Sequence, residues 1–180
     1  MLRHLLTTAL TIVLASTPLS AVAQSTTTAN SPAILNASET GALLPPSVFF
    51  RGQSASIQAR NSAGIRFSKD ALLLATLVDT SGYSSSVQQK YQAYLITESE
   101  IEIGGHRLAP GAYGCGFIAN DMFLVMDIGG HDLFTTKSSR DTTLRRPTPL
   151  QILPAPNANT YRLYAGRSFV ELSLATSATK

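Results

Sequence analysis

From Ser47 onward the chain is interrupted every few residues by Gly, Asn, Asp, Ser or Pro, and the apolar runs left between the interruptions are of strand length. An amphipathic helix needs apolar residues recurring every three to four positions over ten or more residues, whereas short runs closed by turn formers suit strands. The punctuation therefore predicts an all-β, antiparallel domain. Candidate strands span 54–60, 64–67, 72–79, 92–98, 100–103, 106–108, 112–119, 122–128, 132–136, 150–153, 161–165 and 168–174. The Leu-rich segment 70–78 (DALLLATLV) reads equally as a strand or a capped helix. Segment 85–91, with Ser86 and Gln89 at capping-box spacing, is the expected place for helical turns, so at most one short helix is expected.

The segment 122–128 (MFLVMDI) is apolar at both alternating sets of positions, as a strand covered on both faces must be. A second layer is therefore required, and the remaining strands are expected to supply it as an antiparallel β-sandwich or a partly open barrel. Within this region the sequence echoes itself. Glu102-Ile103-Gly104-Gly105-His106-Arg107-Leu108 and Asp127-Ile128-Gly129-Gly130-His131-Asp132-Leu133 both read acid, Ile, Gly, Gly, His, any residue, Leu. Gly-Gly suits tight hairpin turns because it adopts positive φ without steric cost. With Asn120-Asp121 as the opposing turn, the segment reads as a four-stranded meander, both Gly-Gly turns lying at one end if Pro110-Gly111 is only a kink.

Ahead of the β-rich region, Arg3, the apolar stretch 5–15, Pro18 and the Ala21-x-Ala23 pattern make up a cleavable secretory signal at 1–23. A membrane-spanning helix needs about 20 apolar residues, and Ser16, Thr17 and Pro18 interrupt this one well short of that. The expected product is exported, periplasmic or extracellular, without a membrane anchor. Residues 24–46 are rich in Ser, Thr, Ala and Asn and are read as a flexible leader. Residues 47–175 form the single domain, and 176–180 a tail.

Lys and Arg number 14 against 11 Asp and Glu, and Arg3 leaves with the signal. So small an excess does not argue for nucleic acid or an anionic membrane surface as partner. Cys115 is the only cysteine, so an intramolecular disulfide is excluded and stability must come from apolar burial. Strand alternation sets Cys115 beside Tyr113 and Phe117 on a core face. The opposite face, Ala112, Gly114, Gly116 and Ile118, is nearly smooth, so another layer or a ligand can approach the backbone there.

Three constellations carry candidate chemistry. If the Gly-Gly turns share an end, His106 and His131 start alternate strands about 10 Å apart. With Asp127 they are candidate zinc or copper ligands, the alternative being solvated hairpin tips. Lys137, Arg140, Arg145 and Arg146 gather in 137–149 against the single acid Asp141, and are candidates for holding an anionic headgroup, a phosphate or an acidic partner; a merely solvated loop is the alternative. Tyr83, Tyr91, Tyr94, Tyr161 and Tyr164 are candidates for stacking on sugars, or else belong to core and sheet surfaces. Hydrolase, phosphate-loop, dinucleotide and EF-hand signatures are missing from the sequence. These features favour a non-enzymatic module that binds a protein or small ligand and needs no cofactor, over a metal- or thiol-dependent enzyme using His106, His131 or Cys115.

The stretch Ile103 to Ile128 also resembles a bacterial exported β domain of unknown function. The likeness is carried by a GG-x-x-x-x-P-G-x-Y pattern followed by a two-strand hairpin, here Gly104, Gly105, Pro110, Gly111 and Tyr113. The resemblance implies export and a β fold, and transfers no site residue.

Overall fold

The computed structural model describes residues 31–176. The expected signal 1–23, the first part of the leader and residues 177–180 lie outside that span. Two antiparallel sheets face each other without closing into a barrel, so the chain is an all-β sandwich. The first sheet is built from β1 (Ala33–Leu35), β3 (Gln53–Ser68), β4 (Ala71–Val78), β5 (Ala93–Thr97), β8 (Gly111–Ile118), β9 (Met122–Met126) and β10 (Asp132–Lys137), in that spatial order, with β2 (Ser47–Phe50) also pairing to β3. The second runs β12 (Gln151–Pro154), β13 (Thr160–Ala165), β14 (Ser168–Leu174), β6 (Ile101–Ile103), β7 (His106–Leu108), with β11 (Ser139–Arg140) also pairing to β14.

Strand alternation sorts the apolar side chains onto two faces of the first sheet. Leu73, Ala75, Leu95, Cys115, Phe123 and Val125 point between the sheets and meet Ile101, Ile103, Ile152, Leu163, Val170 and Leu172 from the second. Their sequence neighbours Tyr94, Leu124 and Met126 point the other way, into a second core with Val48, Phe50, Tyr83, Val87 and Tyr91. The β2–β3 hairpin and the short helix α2 (Ser85–Gln88) thus cover one part of the outer face. This explains why 122–126 is apolar at every position: the second sheet covers one side of β9, and the folded-back hairpin covers the other. It also resolves 70–78, which forms strand β4 because both of its faces find partners.

The smooth face of β8 is where that hairpin seats. A methyl group on Gly114 would collide with the Phe50 ring, and one on Gly116 with the Lys90 carbonyl, so the glycines allow the outer layer to reach the sheet backbone. Phe50 then stacks on Tyr91 with ring centroids 3.9 Å apart, and the Tyr83 hydroxyl donates to the Phe50 carbonyl at 2.9 Å.

Two expectations need correction. The leader is not flexible over its second half: β1 pairs with residues 64–66 of β3, and helix α1 (Ala37–Leu43) follows it. A capping box starts α1, the Asn36 side chain accepting from Ser38 and Glu39 N–H groups while the Glu39 carboxylate accepts from Asn36 N–H. Leu35 and Leu44 close over Leu74 and cover a further part of the outer face. The folded unit therefore reaches back at least to Ala33, ahead of Ser47, and α1 adds a second short helix to the expected one at α2.

The second correction concerns the meander. Asn120 and Asp121 do form the β8–β9 turn, both with positive φ. The Gly104-Gly105 turn, however, joins β6 to β7 in the second sheet, while the Gly129-Gly130 turn joins β9 to β10 in the first. Pro110 lies at a corner where the chain leaves one sheet for the other, not at a kink within a single sheet.

Candidate ligand-binding surface

The chain crosses between sheets again just after β10, and this crossing carries the basic segment. Ser139 and Arg140 pair with Phe169 and Ser168 at the start of β14. The following loop, 141–149, is fixed by two side chains of opposite charge. The Asp141 carboxylate accepts from the Thr143 hydroxyl at 2.7 Å, from the N–H groups of Thr143 and Leu144, and from the Tyr164 hydroxyl at 3.1 Å. These bonds, the Thr143 hydroxyl foremost, hold its pKa below the usual carboxylate range. From the β13–β14 turn, Arg167 donates to the carbonyls of Asp141, Thr142 and Leu144 at 3.2, 3.2 and 2.7 Å. Leu150 anchors the exit in the inter-sheet core.

The two charges bonded to the loop backbone, Asp141 and Arg167, are thus consumed in shaping it. The four expected cations are not. Lys137, Arg140, Arg145 and Arg146 are all exposed, and among the described residues none pairs with a carboxylate. Strand pairing brings this segment together with residues that sequence reasoning missed. A groove beside β10 is lined by Gly104, Thr136, Lys137, Ser139, Arg162, Phe169 and Glu171, with Val170 at its base. Arg162 lies with its guanidinium carbon 4.3 Å from the Phe169 ring centre and donates through Nε to Glu171 Oε1 at 3.0 Å. Gly104 permits the close approach of β10, because a side chain there would collide with Thr136, whose hydroxyl donates to the Gly104 carbonyl at 3.0 Å. Arg162 and Glu171 stand nine residues apart, and only the β13–β14 register sets them side by side.

The histidines do not converge on a metal. His106 lies on β7 and stacks on Phe134 with ring centroids 4.5 Å apart, whereas His131 Nδ1 is 2.9 Å from Asp127 Oδ2 within its own turn. Asp127 also accepts from the His131 N–H, the bond that contributes most to holding its pKa low. Asp127 and His131 thus cap a turn, and among the described residues no three of His, Cys, Asp or Glu are placed to hold a metal ion. This corrects the assignment of His106, His131 and Asp127 as a ligand set; it failed because the two turns belong to different sheets.

Cys115 is fully buried, and desolvation pushes its thiol up to about 12, so it is neither accessible nor ionised at neutral pH. All five candidate tyrosines are buried, which removes the aromatic platform for neutral sugars. No helix among the described residues is long and apolar enough to cross a membrane. The fold and surface together define a β-sandwich presenting a braced cationic loop. Comparison with protein-family models, with curated proteins and with solved structures finds no match to this chain.

Proposed function

We propose that the chain is an exported, non-enzymatic binding module whose contact surface is the cationic segment 137–146 and whose partner is anionic. One observation carries the reading: among the described residues Lys137, Arg140, Arg145 and Arg146 pair with no carboxylate, on a backbone whose shape Asp141 and Arg167 already fix. Binding to a preformed loop avoids much of the ordering cost that a mobile one would incur. A thiol enzyme is disfavoured by the burial of Cys115, and a metal enzyme by the separate partners of His106 and His131. Export is supported by the Arg3, apolar and Ala-x-Ala sequence of the first 23 residues.

Titration of the protein with dextran sulfate tests the reading. Binding is expected at about 20 mM salt and should be largely lost at about 0.5 M, where screening falls to a few ångströms. Arg140→Gln, Arg145→Gln and Arg146→Gln combined should weaken binding by about tenfold or more without altering the melting temperature. Equal binding by wild type and triple variant at low salt would refute it.

A further inference from the structure

The groove between β10 and the β13–β14 pair is chemically mixed, which narrows what an anionic partner must look like. Lys137 supplies an unpaired ammonium, and Ser139 a hydroxyl with no hydrogen bond among the described residues. Glu171 stands on the same lining, and its bonds to Arg162 fall on Oε1. Oε2 accepts no hydrogen bond among the described residues and faces solvent, where a ligand hydroxyl can reach it. A polyphosphate satisfies Lys137 but carries no hydroxyl to donate to Glu171. A unit carrying one carboxylate and neighbouring hydroxyls satisfies both, its acid on Lys137 and a hydroxyl donating to Glu171.

The cations do not stop at the groove. Ser139 lies opposite Phe169 and Arg140 opposite Ser168, and the loop bearing Arg145 and Arg146 is tied to Arg167. From Glu171 to Arg167 the strand advances about 13 Å, further than one sugar ring extends. A membrane surface fits poorly, because docking there combines cations with exposed apolar side chains. Here the large exposed ones, Ile34, Leu43, Phe49, Ile128, Leu133 and Leu174, all lie outside 137–149. A protein partner would call for an exposed aromatic or aliphatic anchor, and the segment offers none.

We propose that the surface takes an acidic polysaccharide, with the groove as the subsite for one uronate unit: Lys137 pairs with its carboxylate, Ser139 bonds that carboxylate, and Glu171 accepts from a ring hydroxyl. This rests on the anionic-partner reading above and adds the chemistry of the monomer.

Binding is measured with polygalacturonate, inorganic polyphosphate, neutral dextran and vesicles of phosphatidylglycerol, each at about 20 mM salt, a concentration that leaves surface charges unscreened over tens of ångströms. Polygalacturonate should bind more tightly per charge than polyphosphate, with dextran and vesicles weaker still. Lys137→Gln and Ser139→Ala should reduce polygalacturonate affinity by about tenfold and about threefold, the losses expected for a charged and a neutral hydrogen bond. Ser139→Ala should leave polyphosphate binding unchanged, and Glu171→Gln should raise it. Arg145→Gln should weaken both polyanions alike. Polyphosphate or vesicles binding as well as polygalacturonate, or Lys137→Gln costing no more than Arg145→Gln, would overturn the uronate subsite while leaving the anionic reading intact. Absence of binding to every polyanion would overturn both.

Discussion

Cys115 and the glycines flanking it show how much a single strand residue settles. The thiol is buried between the sheets, where desolvation raises its pKa from 9.0 to about 12. Because the folded state holds this proton more tightly than the unfolded chain, the associated stability is complete below pH 9 and is lost as pH rises from 9 toward 12. Urea unfolding followed across this range should show stability falling from about pH 9, with the onset less steep in Cys115→Ala. Native protein should not react with a thiol reagent at pH 8 until denaturant is added; rapid labelling of folded protein would show the burial to be wrong. On the opposite face, Gly116 abuts the carbonyl of Lys90, which cannot rotate away as a side chain can. Gly116→Ala should therefore cost about 1–3 kcal/mol, read from the urea midpoint. Gly52, at a turn with open space around it, is a poor control because its φ is +83°. Gly82, with open space and no positive φ, is a good one, and its alanine variant should be nearly neutral.

At the scale of elements, α1 gives the clearest measurable case. Asn36→Ala removes the side-chain acceptor for two N–H groups and should cost about 1 kcal/mol, with the urea slope unchanged because the folded and unfolded surfaces stay the same. If 33–46 were a loose leader, the substitution would be silent. The Asn-x-x-Glu signal for this helix was present in the sequence, but the surrounding Ser, Thr and Ala composition outweighed it. The helix survives because Leu35 and Leu44 bury against Leu74, a contact that no local pattern encodes. Strands were far more legible. Those from β4 to β10 and from β12 to β14 lie close to their expected bounds, because alternation and turn residues are local signals. The expected strands 54–60 and 64–67 merge into the single long β3, with an irregular register between Gln58 and Ser62. Whether Pro110 kinks a strand or turns it into another sheet is decided by what the strand pairs with, so the meander and the metal set built on it were not recoverable locally. The candidate surface divides the same way. Its four free cations stand out in the sequence, while Arg162, Phe169, Glu171 and the bracing Arg167 join it only through the β13–β14 register.

Taken as a whole, the molecule has cores on both faces of one sheet, and this makes a prediction about how it unfolds. The inter-sheet core draws on Leu73, Ala75, Leu95, Cys115, Phe123 and Val125, and the outer core on Val78, Tyr94, Leu124 and Met126. Both sets draw on β4, β5 and β9, so neither core persists if those strands separate. The outer layer is also short of independent support: an isolated hairpin such as β2–β3 is marginal in water, and α2 is only four residues long. It therefore has no means of outliving the sheet. Conversely, loss of the outer layer would expose Phe50, Tyr91, Leu124 and Met126, all at most 2 % exposed in the folded state. Each such side chain is worth about 1.5–3 kcal/mol in burial, comparable in sum to the stability of an ordinary domain. Unfolding should then be a single transition. Phe49 is half-exposed on β2, so Phe49→Trp places a fluorophore on the outer layer of a protein that otherwise lacks tryptophan. Cys115 labelling reports on the inter-sheet core in the same variant. The two probes should give one urea midpoint and one slope. A tryptophan signal that changes while Cys115 is still protected would mean that the outer layer detaches on its own, and that the sheet is stable with one face bare.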